Sequence, residues 1–278
     1  MPSVLYPPPR PLAIGEVLDS AFAIFKATLI KCLPYGLLAM VAGQLQSIYD
    51  VATGRPLGSH DPGWWLCFGL GTLAMITLWS AVVLRQRAAL DQRQTAIASD
   101  LVAGLRALPS MVAVLLFALV AGAIGLVLLV IPGLCVLLAI PLAGVAVLLE
   151  GRGPTQALGQ SWRLISHNAL RVFTIFCVGV SMVLVFDMLM FMLVAVLLQF
   201  AGTGDLTVVT SYLPVVVIAL GAITAPFLCA LGLATYGDLQ VRHAAKETAK
   251  ETAKETAKTA APAAEETSAA PAPGERVG

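Results

Sequence analysis

The sequence predicts an all-α integral membrane protein with about six transmembrane helices and three amphipathic interfacial helices. Three observations carry that expectation. Hydrophobic residues fill 58% of the 278 positions and charged residues only 12%, against roughly 45–50% and about 25% in an average soluble domain. Residues 107–149 form a run of 43 without one charged side chain. Apolar stretches recur at lengths near the roughly 20 residues a helix needs to cross a bilayer. A helix suits that solvent because it satisfies its own backbone groups, which lipid cannot do.

Six spans follow in order. The first covers residues 29–49, with Pro34 near its start. The second covers 63–84, and Trp64 and Trp65 stand at its outer end, where aromatic belts form. The third covers 111–131, and Pro132-Gly133 reads as the turn into the fourth, 134–149. The fourth is the shortest and carries Pro141, a site for a kink. The fifth, 172–200, is long, and the sixth covers 212–236. Glycines 69, 71, 122, 125, 221 and 232 lie inside spans, where they let helices approach closely.

Basic residues set the orientation. With the N-terminus cytoplasmic, sixteen of the 17 Lys and Arg residues fall on the inside, and Arg55 is the exception. The expected topology has an even number of spans and both termini cytoplasmic, in the bacterial inner membrane. The residues before Pro11 are Pro-rich with no basic run leading into a short apolar stretch, so no cleaved signal is expected.

Each inside segment carries a short amphipathic pattern. The first opens at Gly15-Glu16 and continues through Val17, Leu18, Ala21, Phe22 and Phe25. The second opens at Ser99-Asp100, the third at Pro154-Thr155. Apolar residues recur at three- and four-residue steps, one face of a helix. Ser99 and Thr155 are the expected N-caps, and Glu16 and Asp100 suit the positive end of a helix dipole. Trp162 fits the inner interface. The chain can be laid out as three repeated units of one interfacial helix plus a hairpin of spans. A shift of 140 residues sets Leu18 over Leu158, Phe22 over Trp162, Ile24 over Leu164 and Lys31 over Arg171. The alternative is that loops near a membrane are amphipathic whether or not they repeat.

Three parts result: a Pro-rich segment 1–11, a membrane domain 12–242, and a tail 243–278. The tail reads Ala-Lys-Glu-Thr three times and then turns Ala/Pro-rich. It has no apolar face to bury, so it is expected to be solvated, transiently helical and then disordered.

Few residues invite chemistry. A net charge of +1 argues against a nucleic-acid partner. Cys32, Cys67, Cys135, Cys177 and Cys229 stand singly in apolar segments and read as small hydrophobes. His60, His167 and His243 have no ligand spacing, so neither metal nor cofactor is expected. The outlier is Asp187, near the middle of the fifth span. An ionised carboxylate there costs at least about 2.5–3.5 kcal/mol on insertion scales. It reads either as a proton- or cation-responsive site, or as a structural hydrogen bond to Thr224 or to carbonyls near Pro226.

Three stretches resemble a known family. They are Arg10-Pro11-Leu12-Ala13-Ile14-Gly15-Glu16-Val17-Leu18-Asp19; Ile131-Pro132-Gly133-Leu134; and Glu150-Gly151-Arg152-Gly153-Pro154 with Ser161-Trp162-Arg163-Leu164. Together they resemble the membrane domain of glycerophosphoryl diester phosphodiesterase, a bacterial integral-membrane family. The resemblance implies a stand-alone membrane module. It carries over no catalytic residue, because the soluble barrel that holds them, roughly 250 residues, has no counterpart in this sequence. The expected function is a non-enzymatic scaffold, partner-binding or lipid-organising module. Its partners would be the bilayer, and a membrane protein or a second copy. The alternatives are a transporter or lipid-translocating protein that uses Asp187, and an embedded enzyme acting on glycerophospholipids.

Overall fold

The computed structural model describes residues 6–54, 60–128, 130–166, 168–200 and 206–268, with 126–138, 206–213 and 255–268 described as backbone alone. Every regular element among them is an α-helix. The order is α1 Ile14–Gly43, α2 Leu45–Thr53, α3 Pro62–Leu90, α4 Ile97–Leu128, α5 Val130–Glu150, α6 Pro154–Ser166, α7 Ala169–Phe200 and α8 Leu206–Ser268. Among the described residues five helices (α1, α3, α4, α7 and α8) are long and apolar enough to cross a membrane. The fourth expected span falls in α5, whose stretch Ala139–Glu150 is apolar but shorter. Residues 269–278, Cys135 and His167 lie outside the described side chains.

Several boundaries differ from expectation for local reasons. The expected turn at Pro132-Gly133 is not one, because residues 130–150 are helical; residue 129, between α4 and α5, lies outside the described residues. Pro132 and Gly133 are carried within α5. The first two amphipathic segments are not separate helices. They run unbroken into their spans as the opening turns of α1 and α4, because nothing nearby stops them; Pro34 and Pro109 are carried inside these helices. Ser99 is not a cap: α4 starts two residues earlier, and the Ser99 hydroxyl donates to the Ala96 carbonyl at 2.6 Å. Thr155 is not a cap either, since α6 begins at Pro154 and the Gly153 carbonyl accepts from Ala157 N at 2.9 Å. Only α6 stands alone. Asn168 ends it, donating from its backbone to Ile165 O at 2.7 Å, and its own carbonyl then accepts from Val172 N to open α7.

The first and third amphipathic segments nevertheless bury positions that match under the 140-residue shift. Val17, Ala21 and Ile24 are buried in α1, and Ala157, Ser161 and Leu164 in α6, 140 residues later. Phe22 and Trp162, matched by the same shift, are both about half exposed. In α4 the buried pair is Asp100 and Gly104. A shared burial pattern survives where the helix breaks do not.

The bundle centres on α1, α3 and α8. Two glycines set the closest crossings. Pro226 has no N–H to offer the Ala222 carbonyl one turn back, and α1 meets that carbonyl at Gly36, where a Cβ would lie 2.7 Å from the oxygen. A Cβ on Gly71 would run into the Ala42 carbonyl oxygen. Of the other glycines expected to permit close approach, Gly221 packs against the Met40 side chain, whereas Gly69 faces open space and Gly232 makes ordinary contact. Gln86, fully buried on α3, donates to Pro226 O at 2.7 Å and ties α3 to α8.

Away from this core the helices turn apolar faces outward. No residue of 180–200 on α7 is buried. Leu116, Phe117, Leu119, Val120 and Ile124 on α4 are all exposed. α8 runs on past residue 242 through the tail repeat to Ser268. Alanine, lysine and glutamate are strong helix formers, and they extend a helix already nucleated by the core. Residues 244–254 are exposed throughout.

Candidate functional site

Among the described residues two buried acids, Asp100 and Asp238, lie at one end of the bundle with the half-buried Glu150, and a third buried acid, Asp50, stands on α2. The Asp238 end collects the N-terminal segment, the α3–α4 turn, the α5–α6 turn and the part of α8 near residue 238. Three ties hold it together.

The first is built on Asp238 of α8, which is fully buried. Its carboxylate accepts from Arg171 of α7 at 3.1 Å and from Arg242, one turn along α8, at 3.0 Å. It also accepts from the backbone N of Leu12 at 2.8 Å. Both guanidinium groups donate to the Leu12 carbonyl as well. One carboxylate and two arginines thereby clamp both polar groups of a single peptide residue. The chain entering α1 is fixed to the start of α7 and to α8.

The second tie is Glu150, the last residue of α5. It accepts from Tyr236 Oη, from Gln240 Nε2 at 2.6 Å and from Gln160 Nε2 at 3.4 Å, and pairs with Arg152. Burial pushes its carboxyl up, but the hydrogen bonds from Tyr236, Arg152 and Gln160 and the charge of Arg152 outweigh that and hold it below the usual range. Gly151 follows with φ +62°, and its N–H donates to the Val147 carbonyl at 3.1 Å, closing the helix. A left-handed residue in that place favours glycine.

The third tie is Asp100 of α4. It pairs with Arg85 of α3 at 3.3 Å and accepts from Tyr35 of α1 at 3.3 Å and Thr95 at 3.2 Å. Arg85 also donates to the Thr95 carbonyl. Beside these ties, Tyr6 lies under the Arg87 guanidinium, 4.4 Å from its ring centre, and against Gly237. Burial pushes the Tyr6 phenol well above its ordinary value, opposed by the charge of Arg87.

The opposite end is different. Asp61 caps α3, accepting from Trp64 N at 3.0 Å, and takes the Tyr49 hydroxyl at 3.1 Å. Trp64 stacks on Phe68 with ring centres 5.4 Å apart and meets Trp65 edge-on.

The structure does not join Asp187 to Thr224. Thr224 donates back to Leu220 O at 3.0 Å on its own helix. Asp187 is partly buried on α7, and its Oδ1 is enclosed without a hydrogen-bond partner. A cavity of about 210 Å3 between α1, α7 and α8 is lined by Phe22, Phe25, Val183, Phe186, Thr224 and Phe227. Asp187 is not among its walls.

The remaining motif positions have structural settings. Glu16 accepts from Ala13 N at 2.7 Å and pairs with Arg10 at 2.6 Å, holding the start of α1. Gly15 and Asp19 are exposed. Gly153 precedes α6, and Pro132 and Gly133 lie within α5. Ser161 is fully buried with its hydroxyl unpaired, and Trp162 faces outward. Of the described cysteines only Cys32 is buried; Cys177 is exposed, and all four are free. Among the described residues no three His, Cys, Asp or Glu side chains converge as metal ligands.

Sequence reasoning missed Asp238, Arg171 and Arg242 as a set. Asp238 was legible only as the one acid between Tyr236 and Arg242 at the end of an apolar run; its partners lie 67 and 226 residues away.

These long apolar helices and their polar terminal ties define a membrane protein. A family model described as a domain of unknown function, DUF7847, matches residues 64–239. The chain belongs to that family, whose matched region begins at the start of α3 and ends one residue beyond Asp238. No curated protein and no solved structure matches the chain. The comparisons show no likeness to the glycerophosphoryl diester phosphodiesterase membrane domain.

Proposed function

We propose that the chain is a multi-pass protein of the bacterial inner membrane that works as a non-enzymatic module: a scaffold, a partner-binding surface or an organiser of lipid. It crosses six times, α5 being the short crossing, with both termini in the cytoplasm. The observation that carries this reading is the use made of the three acids at the Asp238 end of the bundle. Asp238, Asp100 and Glu150 are each engaged in holding helix ends together. The broad apolar faces of α4 and α7 suit lipid or another membrane helix.

Cysteine labelling from outside tests the topology. In a background cleared of native cysteines, positions 58 and 204 should label in intact cells and positions 94 and 159 should not. Labelling at 94 would overturn the six-span orientation. Purified protein should also leave glycerophosphodiesters intact with or without divalent metal.

The enclosed, unpaired oxygen of Asp187 favours one second reading, a proton-coupled transporter or lipid translocator. Asp187→Asn keeps the shape and removes the titratable proton. Under the scaffold reading it complements a deletion strain; under the transport reading it folds and fails to complement.

A further inference from the structure

We propose that the groove between α6 and the extension of α8 binds the phosphate headgroup of an anionic phospholipid. Two adjoining cavities, of about 360 and about 170 Å3, open between these helices and share Arg163, Leu164, His243 and Glu247. Their walls bring together residues some 80 positions apart: Arg163 from α6, and Lys246 and Lys250 from α8. Those three cations make no ion pair among the described residues. Arg152 stands at one side, already paired with Glu150. One carboxylate, Glu247, enters the walls, and His243 approaches it at 3.5 Å. The groove therefore holds three uncommitted positive charges against one acid.

Its surroundings select the source of the phosphate. Trp162, next in the chain to the wall residue Arg163, is 46% exposed, and Leu170, two residues after the wall residue Asn168, is 83% exposed. A soluble phosphate has no use for that apolar flank, whereas an acyl chain leaving the headgroup does. Basic pockets between helices on the cytoplasmic side suit lipid headgroups, because the leaflet concentrates anionic lipid there. The inference rests on the proposed orientation, which puts this end at the cytoplasmic leaflet. It names the ligand that a lipid-organising module would hold.

The test uses the full chain in a neutral detergent. Thermal unfolding is followed with added phosphatidylglycerol, phosphatidylcholine, inorganic phosphate or polyglutamate. Phosphatidylglycerol should raise Tm, and the other three should not. The triple variant Arg163→Gln, Lys246→Gln, Lys250→Gln should fold as the parent does and lose about tenfold or more in apparent affinity for phosphatidylglycerol. If the triple variant is itself destabilised, the pair Lys246→Gln, Lys250→Gln on the exposed helix is read in its place, with the same expectation. Equal stabilisation by phosphatidylcholine overturns the proposal, as does a full response to phosphatidylglycerol in the charge-deleted variant. A shift reproduced by phosphate or by polyglutamate overturns it in favour of a soluble anion or an acidic partner. Labelling at position 94 would overturn the topology alone; lost lipid selectivity with the labelling pattern intact would overturn this inference alone.

Discussion

The end of the bundle around Asp238 and residues 180–200 of α7 are both parts of long helices, yet they are held in opposite ways. Around Asp238, four backbone or side-chain donors converge on one buried carboxylate. Along residues 180–200 of α7 no residue is buried and the only acid, Asp187, leaves an oxygen unpaired. The difference teaches where specificity resides in such a chain. Apolar faces are interchangeable when the solvent is lipid, since tails are as apolar as leucine. A charge clamp is not interchangeable, because each member left alone would be buried without a partner.

The comparison breaks most readily at Asp238. Asp238→Ala strands Arg171 and Arg242 and frees the entry to α1. Removing one partner of a buried pair costs about 3–5 kcal/mol, and because both arginines keep some exposure the lower end is expected. Thermal unfolding in detergent measures it. A loss below about 1 kcal/mol, the worth of an exposed pair, would show that the clamp does not hold the fold.

Gly36→Leu should come next. Its side chain would push against the Ala222 backbone, which cannot rotate away. Overpacking of that kind costs about 1–3 kcal/mol. Gly69→Leu, facing open space on α3, is the matched control and should be close to neutral.

Glu150 sharpens the comparison through pH. Its folded carboxyl is held below the usual range, so between the folded and unfolded values the unfolded chain binds the extra proton. The stabilisation is therefore complete above the unfolded value of about 4.3 and is lost as pH falls through the folded one. Between pH of about 6 and about 3.5, the parent should lose more stability than Glu150→Gln, whose amide does not titrate. Parallel curves would remove Glu150 from the account.

The smallest effect is expected at Asp187. A buried polar atom without a partner costs free energy, so Asp187→Leu should be neutral or slightly stabilising in detergent. A loss of about 1 kcal/mol or more, the size of an interhelical hydrogen bond in a membrane, would show that Asp187 has a partner after all.

The all-helical class, the positions of the long apolar segments and the grouping of the basic loops at one end were legible from composition and spacing. Those features depend on local runs of residues, and a run of apolar side chains has few other solutions in lipid. Helix ends were less legible. Ser99 and Thr155 look like caps, yet the helices start before them, since a cap is decided by where the backbone turns and not by the residue type alone. The tail's lack of an apolar face is a property of its sequence, but its continuity with α8 depends on a helix nucleated elsewhere.

What no run of residues could disclose is pairing. Leu12, Arg171 and Asp238 are unremarkable one by one. Their roles arise because packing of α1, α7 and α8 brings distant segments to one end of the bundle. Asp187 shows the same lesson in reverse. Its mid-span position offered Thr224 or the carbonyls near Pro226 as hydrogen-bond partners, or a proton- or cation-responsive site, and the Thr224 hydroxyl donates to its own helix. Hydropathy is a property of a segment and can be read along the chain. The partner of a charge is a property of the packed helices, so it was settled only when they came together.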